Sequence, residues 1–297
     1  MAIIGSWDRP LLGAALRALG SRLSEPVIES LNVMKSLRLV PSLAVLVAAW
    51  FAIVAAQAQA ATVQLSPTRD TTLLADNANA SNGSGPVFFA GLTGPHGGAV
   101  RRALVYFDVT AIPAGATVTS VSLVLSVTRE PGSAPLNGTL RRILASWGEA
   151  GSSSSQGTGA AAQTGDATWS HRFYGTGGQT WTTAGGDLAA ATSATASFGA
   201  VGTKVTFGSS PQLVADVQAW VNHPATNQGW AILGDETTAT SATQFAAREN
   251  SNAALRPSLS ITYSPPVAVP ASPLLGLVVA AALLLGLGAF HLRRCAG

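Results

Sequence analysis

Residues 117–128, TVTSVSLVLSVT, decide how the fold of this chain is interpreted. Apolar side chains alternate with hydroxyl side chains along this stretch: Val121, Leu123, Leu125 and Val127 on one face, and Ser120, Ser122 and Ser126 on the other. Alternation with a period of two is typical of a strand that has one buried and one solvated face in an antiparallel sheet. The preceding turn, IPAGA at residues 112–116, has a proline that sets φ and a glycine that tolerates positive φ.

Other short apolar or alternating segments extend this pattern on both sides of the central stretch. They predict strands at residues 62–65, 104–109, 139–144, 203–207, 230–233, 244–248 and 258–263. Short strands separated by turn signals favour an antiparallel β-sandwich or jelly roll. The expected fold class is therefore all-β.

One segment of the chain departs from the strand pattern. Its apolar residues recur at helical spacing: Leu213, Val217, Trp220 and Val221. Ser209 or Ser210 can cap its start, Pro211 suits the first turn, and Pro224 ends it. We expect one short α-helix at residues 211–222, packed on the sheet. Residues 148–165 are rich in Ser, Gly and Ala, and they predict a mobile loop.

An apolar run near the N-terminus predicts export. Residues 34–60 begin with a short basic region, continue as an apolar run, and end in small-x-small motifs at Ala58 and Ala60. This arrangement is typical of a secretory signal peptide with a cleavage site. An uncleaved N-terminal membrane anchor is the alternative. Residues 1–33 lie outside the pattern, and we interpret them as a mis-assigned start or a leader extension.

A second apolar run near the C-terminus predicts a membrane helix. Residues 274–292 are uncharged and have the length that a helix needs to span a bilayer. The following residues, 293–297, begin with Arg293 and Arg294, which the positive-inside rule places in the cytoplasm. A proline-rich linker at residues 264–273 precedes the run. We expect the domain before it to lie on the outer side of a membrane.

The remaining domain, residues 61–263, is nearly neutral. Of the 17 basic and 14 acidic residues in the chain, 10 and 11 respectively lie between residues 61 and 266. The excess of positive charge belongs to the terminal segments, so we expect no nucleic-acid partner. Cys295 is the only cysteine of the chain and follows the C-terminal run, which excludes disulfides and thiolate metal sites from the domain.

Several short motifs of the domain resemble those of the DNRLRE family. The first are RALVYFD at residues 102–108 and IPAGATV at residues 112–118, and the others are WGE at 147–149, ATW at 167–169, AREN at 247–250 and RPSLSITY at 256–263. The resemblance implies a β-sandwich similar to carbohydrate-binding modules. It also implies polysaccharide as a candidate partner, since some members of the family bind acidic polysaccharide.

The C-terminal segment resembles the sorting signals of exosortase-type systems, the PEP-CTERM group and its relatives. The features in common are a short motif that contains Val269 and Pro270, one membrane span, and the basic end with Arg293 and Arg294. The resemblance implies a Gram-negative bacterium, sorting to the cell envelope or extracellular matrix, and a processing protease as a transient partner. A plain single-pass anchor is the alternative.

An oxygen-rich segment follows the first predicted strand. Asp70, Asp76 and Asn77 lie in it, close to further asparagines and glycines. Carboxylate and amide oxygens are the ligands that Ca²⁺ prefers, so these residues are candidate metal ligands and Ca²⁺ is the candidate cofactor. The alternative is a turn in which Asx side chains bond to their own backbone.

Two further groups of side chains are candidates for binding or for structural support. Trp169, Tyr174 and Trp181 lie among small polar residues and could stack on sugar rings, although burial is the alternative for each. A second group is charged and lies near the last strand: Arg248, Glu249 and Arg256. We interpret it as an ion-pair set that joins this strand to Asp108 or Asp216, and binding of an acidic sugar or a cation is the alternative.

Motifs of catalysis are missing from the sequence. It has neither the His-Glu-x-x-His pattern of zinc proteases nor the Gly-x-Ser-x-Gly elbow of hydrolases. We therefore expect a non-catalytic protein that binds polysaccharide or matrix components. The alternatives are a structural or adhesive matrix protein with protein partners and a polysaccharide hydrolase, whose paired carboxylates would meet through the fold.

Overall fold

The computed structural model describes residues 59–94, 98–130, 136–175 and 177–266. The predicted signal peptide up to residue 58 lies outside these residues, as do the sorting motif with Val269 and Pro270, the membrane span and the basic end. Among the described residues, no helix is long and apolar enough to cross a membrane.

The described chain is built mainly of strands. They span, in chain order, β1 Ala61–Leu65, β2 Arg69–Leu74, β3 Ala80–Ser81, β4 Val87–Leu92, β5 Val100–Tyr106, β6 Thr117–Arg129, β7 Leu136–Arg142, β8 Ala160–Ala161, β9 His171–Phe173, β10 Gln179–Thr180, β11 Ala194–Phe198, β12 Lys204–Phe207, β13 Trp230–Leu233, β14 Thr243–Ala246 and β15 Ser258–Ser264. The helical elements are the α-helix α1 at Pro211–Asn222 and two 3₁₀ turns at Pro224–Thr226 and Ala253–Leu255.

Eleven of these strands form one antiparallel sheet. Its order is β1-β15-β6-β14-β4-β5-β13-β7-β11, with β12 added on β6 and β2 added on β5. The sheet curls like half a barrel, so that one face encloses the core. The prediction of a mostly β, antiparallel domain with one short packed helix is confirmed for the described residues.

The alternation in residues 117–128 explains the central place of β6. Val121, Leu123 and Leu125 are fully buried, whereas Ser120 and Ser122 are partly exposed. The strand is thirteen residues long and pairs with β15, β12 and β14. Its apolar face belongs to the main hydrophobic core. The strand that the sequence marks most clearly is thus also the longest strand of the sheet, and it has three strand partners.

Helix α1 forms as predicted and is fixed by one buried carboxylate. Ser210 caps its start by accepting a hydrogen bond from the backbone N–H of Leu213 at 3.0 Å. Asp216, 1% exposed, accepts hydrogen bonds from Ser193 Oγ at 2.5 Å and Trp230 Nε1 at 3.2 Å. It also pairs with Arg142 Nε at 3.1 Å. This one side chain therefore joins the helix to β7, β13 and the loop before β11.

Residues 148–165, which the sequence predicts as a mobile loop, are hydrogen-bonded to the rest of the domain. The side chain of Asn82, itself buried, accepts a hydrogen bond from Ser154 N at 2.7 Å and donates to Val87 O at 2.7 Å. The carboxylate of Asp166 accepts from the backbone N–H groups of Ala150 and Gln163. Most of residues 148–165 form a loop as predicted, with the short strand β8 within it, and the mobility of this loop stays a prediction.

Candidate functional site

An open depression of about 470 Å³ lies beyond the C-terminal end of β7. Its lining consists of Leu144, Ala145, Thr182, Thr183, Asp187 and Leu188, and we call it the Leu144 depression. A backbone hydrogen bond of 2.8 Å from Leu144 N to Asp187 O joins its two walls. Leu144 is 58% exposed and is one of two large apolar side chains that are exposed among the described residues.

The second wall of the depression is shaped by a carboxylate and a tight turn. Asp187 accepts hydrogen bonds from Thr182 N at 3.1 Å and from Thr183 N at 2.8 Å. Gly185 completes the turn with a φ of +86°, and a Cβ at this position would lie 2.7 Å from the Trp169 ring and 2.7 Å from Arg102 Nη1. Glycine is thus required both by the backbone conformation and by the close approach of these side chains.

The predicted sugar-stacking residues have different surroundings. Trp181 is 5% exposed, and its Nε1 donates to Thr168 O at 2.9 Å, so the expectation of a surface ring is wrong for this residue. Trp181 packs with Trp147 and Leu73, among others, in a small second hydrophobic core. Burial, the alternative for this residue, is the observed state.

Trp169 and Tyr174 remain partly exposed. The guanidinium of Arg102 lies over the Trp169 ring at 5.1 Å, and it also forms a two-point pair with Glu236 at 2.7 and 2.9 Å. Tyr174 makes an edge-to-face contact with His171, with ring centroids 5.6 Å apart. Stacking of a sugar on Trp169 or Tyr174 stays a prediction, but one ring already carries a cation on its face.

A second polar assembly joins segments that are far apart in sequence. It consists of Asp70, Glu149, Arg248 and Glu249, and we call it the carboxylate cluster. Arg248 Nη2 lies 2.5 Å from Glu149 Oε1 and 2.5 Å from Glu249 Oε1, and Asp70 Oδ2 accepts a hydrogen bond from Arg248 N at 2.7 Å. Asp70 Oδ1 and Glu249 Oε2 are buried and have no hydrogen-bond partner among the described residues.

Burial dominates the ionisation of this cluster. It raises the pKa of Glu149 to about 7, although the hydrogen bond and charge of Arg248 act in the opposite direction. Burial also raises the pKa of Asp70 well above its usual value, with a further contribution from the charges of Glu249 and Glu149. The pKa of Glu249 is raised by the same cause, again against the charge of Arg248. One guanidinium thus faces three carboxyl groups that resist ionisation.

The three candidate Ca²⁺ ligands have separate partners. Asp70 belongs to the carboxylate cluster, Asp76 pairs with Arg101 at 2.9 Å, and Asn77 accepts a hydrogen bond from the backbone N–H of Asn79 at 3.1 Å. Within the described ranges, no group of three or more His, Cys, Asp or Glu side chains is arranged to hold a metal ion. These residues therefore do not fit a common calcium cage, and Asn77 forms the Asx turn that was the alternative.

The predicted ion-pair set is present only in part. Arg248 and Glu249 do pair, but the stronger link to a distant segment is the one from Arg248 to Glu149. Arg256 donates from Nε to Asn250 O at 2.8 Å, and Asp108 accepts from Thr110 N at 2.9 Å. Both are exposed, and each bonds to backbone close to it in sequence. The expected link from this set to Asp108 or Asp216 is therefore wrong, since Asp216 pairs with Arg142 instead.

Sequence reasoning missed the roles of Leu144, Glu149 and Asp187. Leu144 was assigned to a strand, and no signal in the sequence indicates that the fold leaves its side chain in solvent. Glu149 stands in one of the motifs that resemble the DNRLRE family, so its position could have been marked, although its partner could not. Asp187 follows two glycines, a turn signal from which a local cap could have been predicted.

Comparison with known proteins adds no assignment for this chain. No protein-family model matches it, and no curated protein matches it significantly.

Proposed function

We propose that this chain is a non-catalytic, exported β-domain that binds polysaccharide at the bacterial cell envelope or in the extracellular matrix. The observation that carries the proposal is the Leu144 depression, an open surface with an exposed apolar side chain beside hydroxyl and carboxylate groups. The depression has a volume of about 470 Å³ and is open to solvent.

The lining of the depression suits the surface of a sugar ring. Leu144, Ala145 and Leu188 offer apolar contact to the C–H groups of a ring, while Thr182 and Thr183 offer hydroxyls. Mixed contact of this kind is what orients a ligand in an otherwise apolar site. The two walls are joined by the backbone hydrogen bond from Leu144 N to Asp187 O, so the surface is formed before a ligand arrives.

Export, sorting and family membership are part of the same proposal. The first strand begins at Ala61, directly after the predicted cleavage position at Ala60, and Ala61 is the strand partner of Tyr263. The two ends of the domain therefore leave the sheet side by side. We further propose that the curled sheet is a jelly-roll sandwich of the DNRLRE type, and that an envelope protease processes the tail.

A glycan array probed with the full-length protein in detergent tests this proposal. We expect selective binding to some polysaccharides, and loss of that binding in Leu144→Asp, since a charge replaces the apolar contact. The matched control is Val201→Asp, because Val201 is the other large apolar residue that is exposed in the described part of the chain, at 54%, and it does not line the depression. Equal binding by both variants would show that the depression is not the site.

An adhesive role in a matrix is the second candidate, and the sheet edges favour it. Within the described residues, β1 pairs only with β15 and β11 pairs only with β7. Neither edge strand contains a charged residue or a proline, the features that usually prevent pairing between copies. Concentration-dependent self-association in sedimentation experiments would support this role, and a strictly monomeric protein would contradict it.

A further inference from the structure

The Leu144 depression carries little charge that could attract a polyanion. Asp187 is the only one of its six lining residues with a formal charge, and that charge is negative. Two arginines lie close to its walls, and one of them is paired with a carboxylate while the other bonds to neutral oxygens. Arg102 forms the two-point pair with Glu236, which neutralises it, and Arg172 donates from Nη1 to Ser146 O at 3.2 Å. No described cation belongs to the lining itself.

The hydrogen-bonding groups of the depression match hydroxyls instead. Thr182 and Thr183 are exposed, and neither side-chain hydroxyl has a partner in the part of the chain that the structure describes. Each oxygen of the Asp187 carboxylate accepts one backbone N–H, which leaves each with further acceptor capacity. A carboxylate can accept from a sugar hydroxyl, whereas it has nothing to donate to another carboxylate.

We propose that the Leu144 depression binds a neutral, hydroxyl-rich glycan and discriminates against polyuronates. The inference rests on the proposed function, since it names the ligand class of the same site. A polyuronate would place its own carboxylates against Asp187, the one charged residue of the lining, and like charges at close range reduce affinity. This specificity differs from the acidic polysaccharide that the family resemblance implies.

Direct binding measurements with defined probes test the specificity. The full-length protein in detergent is titrated with neutral gluco-, xylo- and manno-oligosaccharides, and separately with polymannuronate and polygalacturonate. We expect binding to at least one neutral series, with less than about a two-fold change in Kd between about 0.05 M and 0.5 M NaCl, because screening has little effect on contacts between uncharged groups.

The outcomes separate this inference from the proposed function. Binding that is confined to the polyuronates and that weakens with salt would overturn the neutral specificity and leave the polysaccharide-binding function in place. If no neutral or acidic probe binds, both the neutral specificity and the polysaccharide-binding function are overturned.

Substitutions in the depression locate the contact. Thr183→Val removes one exposed hydroxyl at nearly constant size, and we expect about a three- to ten-fold loss of affinity for the neutral ligand. Thr195→Val is the matched control, since Thr195 is an exposed threonine on β11 outside the depression. Unchanged affinity in a folded Thr183→Val protein, together with unchanged affinity in Thr182→Val, would show that the ligand binds elsewhere.

Asp187→Asn tests the discrimination itself. The amide keeps one acceptor oxygen for the turn and removes the negative charge. We expect affinity for polyuronates to increase at least about three-fold in low salt. If the substitution leaves polyuronate binding unchanged in a protein that still binds the neutral glycan, the charge of Asp187 does not set specificity.

Discussion

Glu149 and Arg248 lie 99 residues apart in the chain and meet in an ion pair of 2.5 Å. The pair joins the segment after β7 to the segment after β14, and Asp70 on β2 reaches the same arginine through its backbone N–H. Three separate parts of the domain thus meet at one arginine, two through its guanidinium and one through its backbone N–H. Because most of these groups are buried, the free energy of this cluster depends strongly on protonation.

The carboxylate cluster predicts that the domain is more stable at mildly acidic pH than at alkaline pH. Burial raises the pKa of Glu149 from its usual value of 4.5 to about 7, and the pKa values of Asp70 and Glu249 are also raised. A raised pKa contributes stability that is complete below the unfolded pKa and is lost as the pH passes the folded pKa. Urea unfolding should show the loss, roughly 1–3 kcal/mol from Glu149, as the pH rises from about 4.5 to about 7.

The control for this pH dependence is Glu149→Gln. A glutamine cannot titrate, so the slope of the free energy of unfolding against pH should become smaller over the same window. A variant whose slope equals that of the unmodified protein would show that Glu149 ionises normally in the folded state.

Removal of the central cation should destabilise the domain. Arg248→Met leaves Glu149 and Glu249 without their shared partner, and uncompensated buried charges cost about 3–5 kcal/mol. The loss should be smaller at about pH 5, where the carboxyl of Glu149 takes up a proton. Chemical denaturation at both pH values measures the difference. Arg256→Met, at an exposed arginine, should change the free energy of unfolding by less than about 1 kcal/mol.

Loss of the buried charge of Asp216 on helix α1 should destabilise the domain. Asp216→Asn removes the charge that Arg142 pairs with and brings an amide donor toward the Trp230 Nε1 and Ser193 Oγ donors. A loss of about 2–4 kcal/mol is expected in the free energy of unfolding. Asp108→Asn is the control, since Asp108 is exposed and bonds to the nearby Thr110 N. Similar melting temperatures for the two variants would contradict the assigned role of Asp216.

A comparison of Gly185 with Gly202 distinguishes the cost of backbone strain from the cost of steric crowding. Gly185 and Gly202 have φ values of +86° and +80°, but a Cβ at Gly185 would lie 2.7 Å from Trp169 and Arg102, whereas a Cβ at Gly202 would meet nothing within 4 Å. Gly202→Ala should therefore cost about 1 kcal/mol, and Gly185→Ala about 2–4 kcal/mol. Thermal unfolding compares them, and equal losses would show that the turn beside Trp169 can yield.

The strand pattern and the helix could be predicted because both depend on local periodicity. The alternation in residues 117–128 reappears as the burial pattern of β6, and the cap, start and end of α1 lie where the sequence signals them. The candidate site could not be predicted to the same degree. Trp181 and Leu144 are both large apolar residues, yet the side chain of the first is 5% exposed and that of the second 58%.

The sequence by itself therefore determined the β-rich class, the position of the helix and the near-neutral charge of the domain. Only the tertiary structure decided that Glu149 meets Arg248, that Asp76 pairs with Arg101, and that Leu144 faces an open depression. The physical reason is that periodicity records which face of an element is apolar, whereas exposure and pairing depend on which distant segment packs against that face.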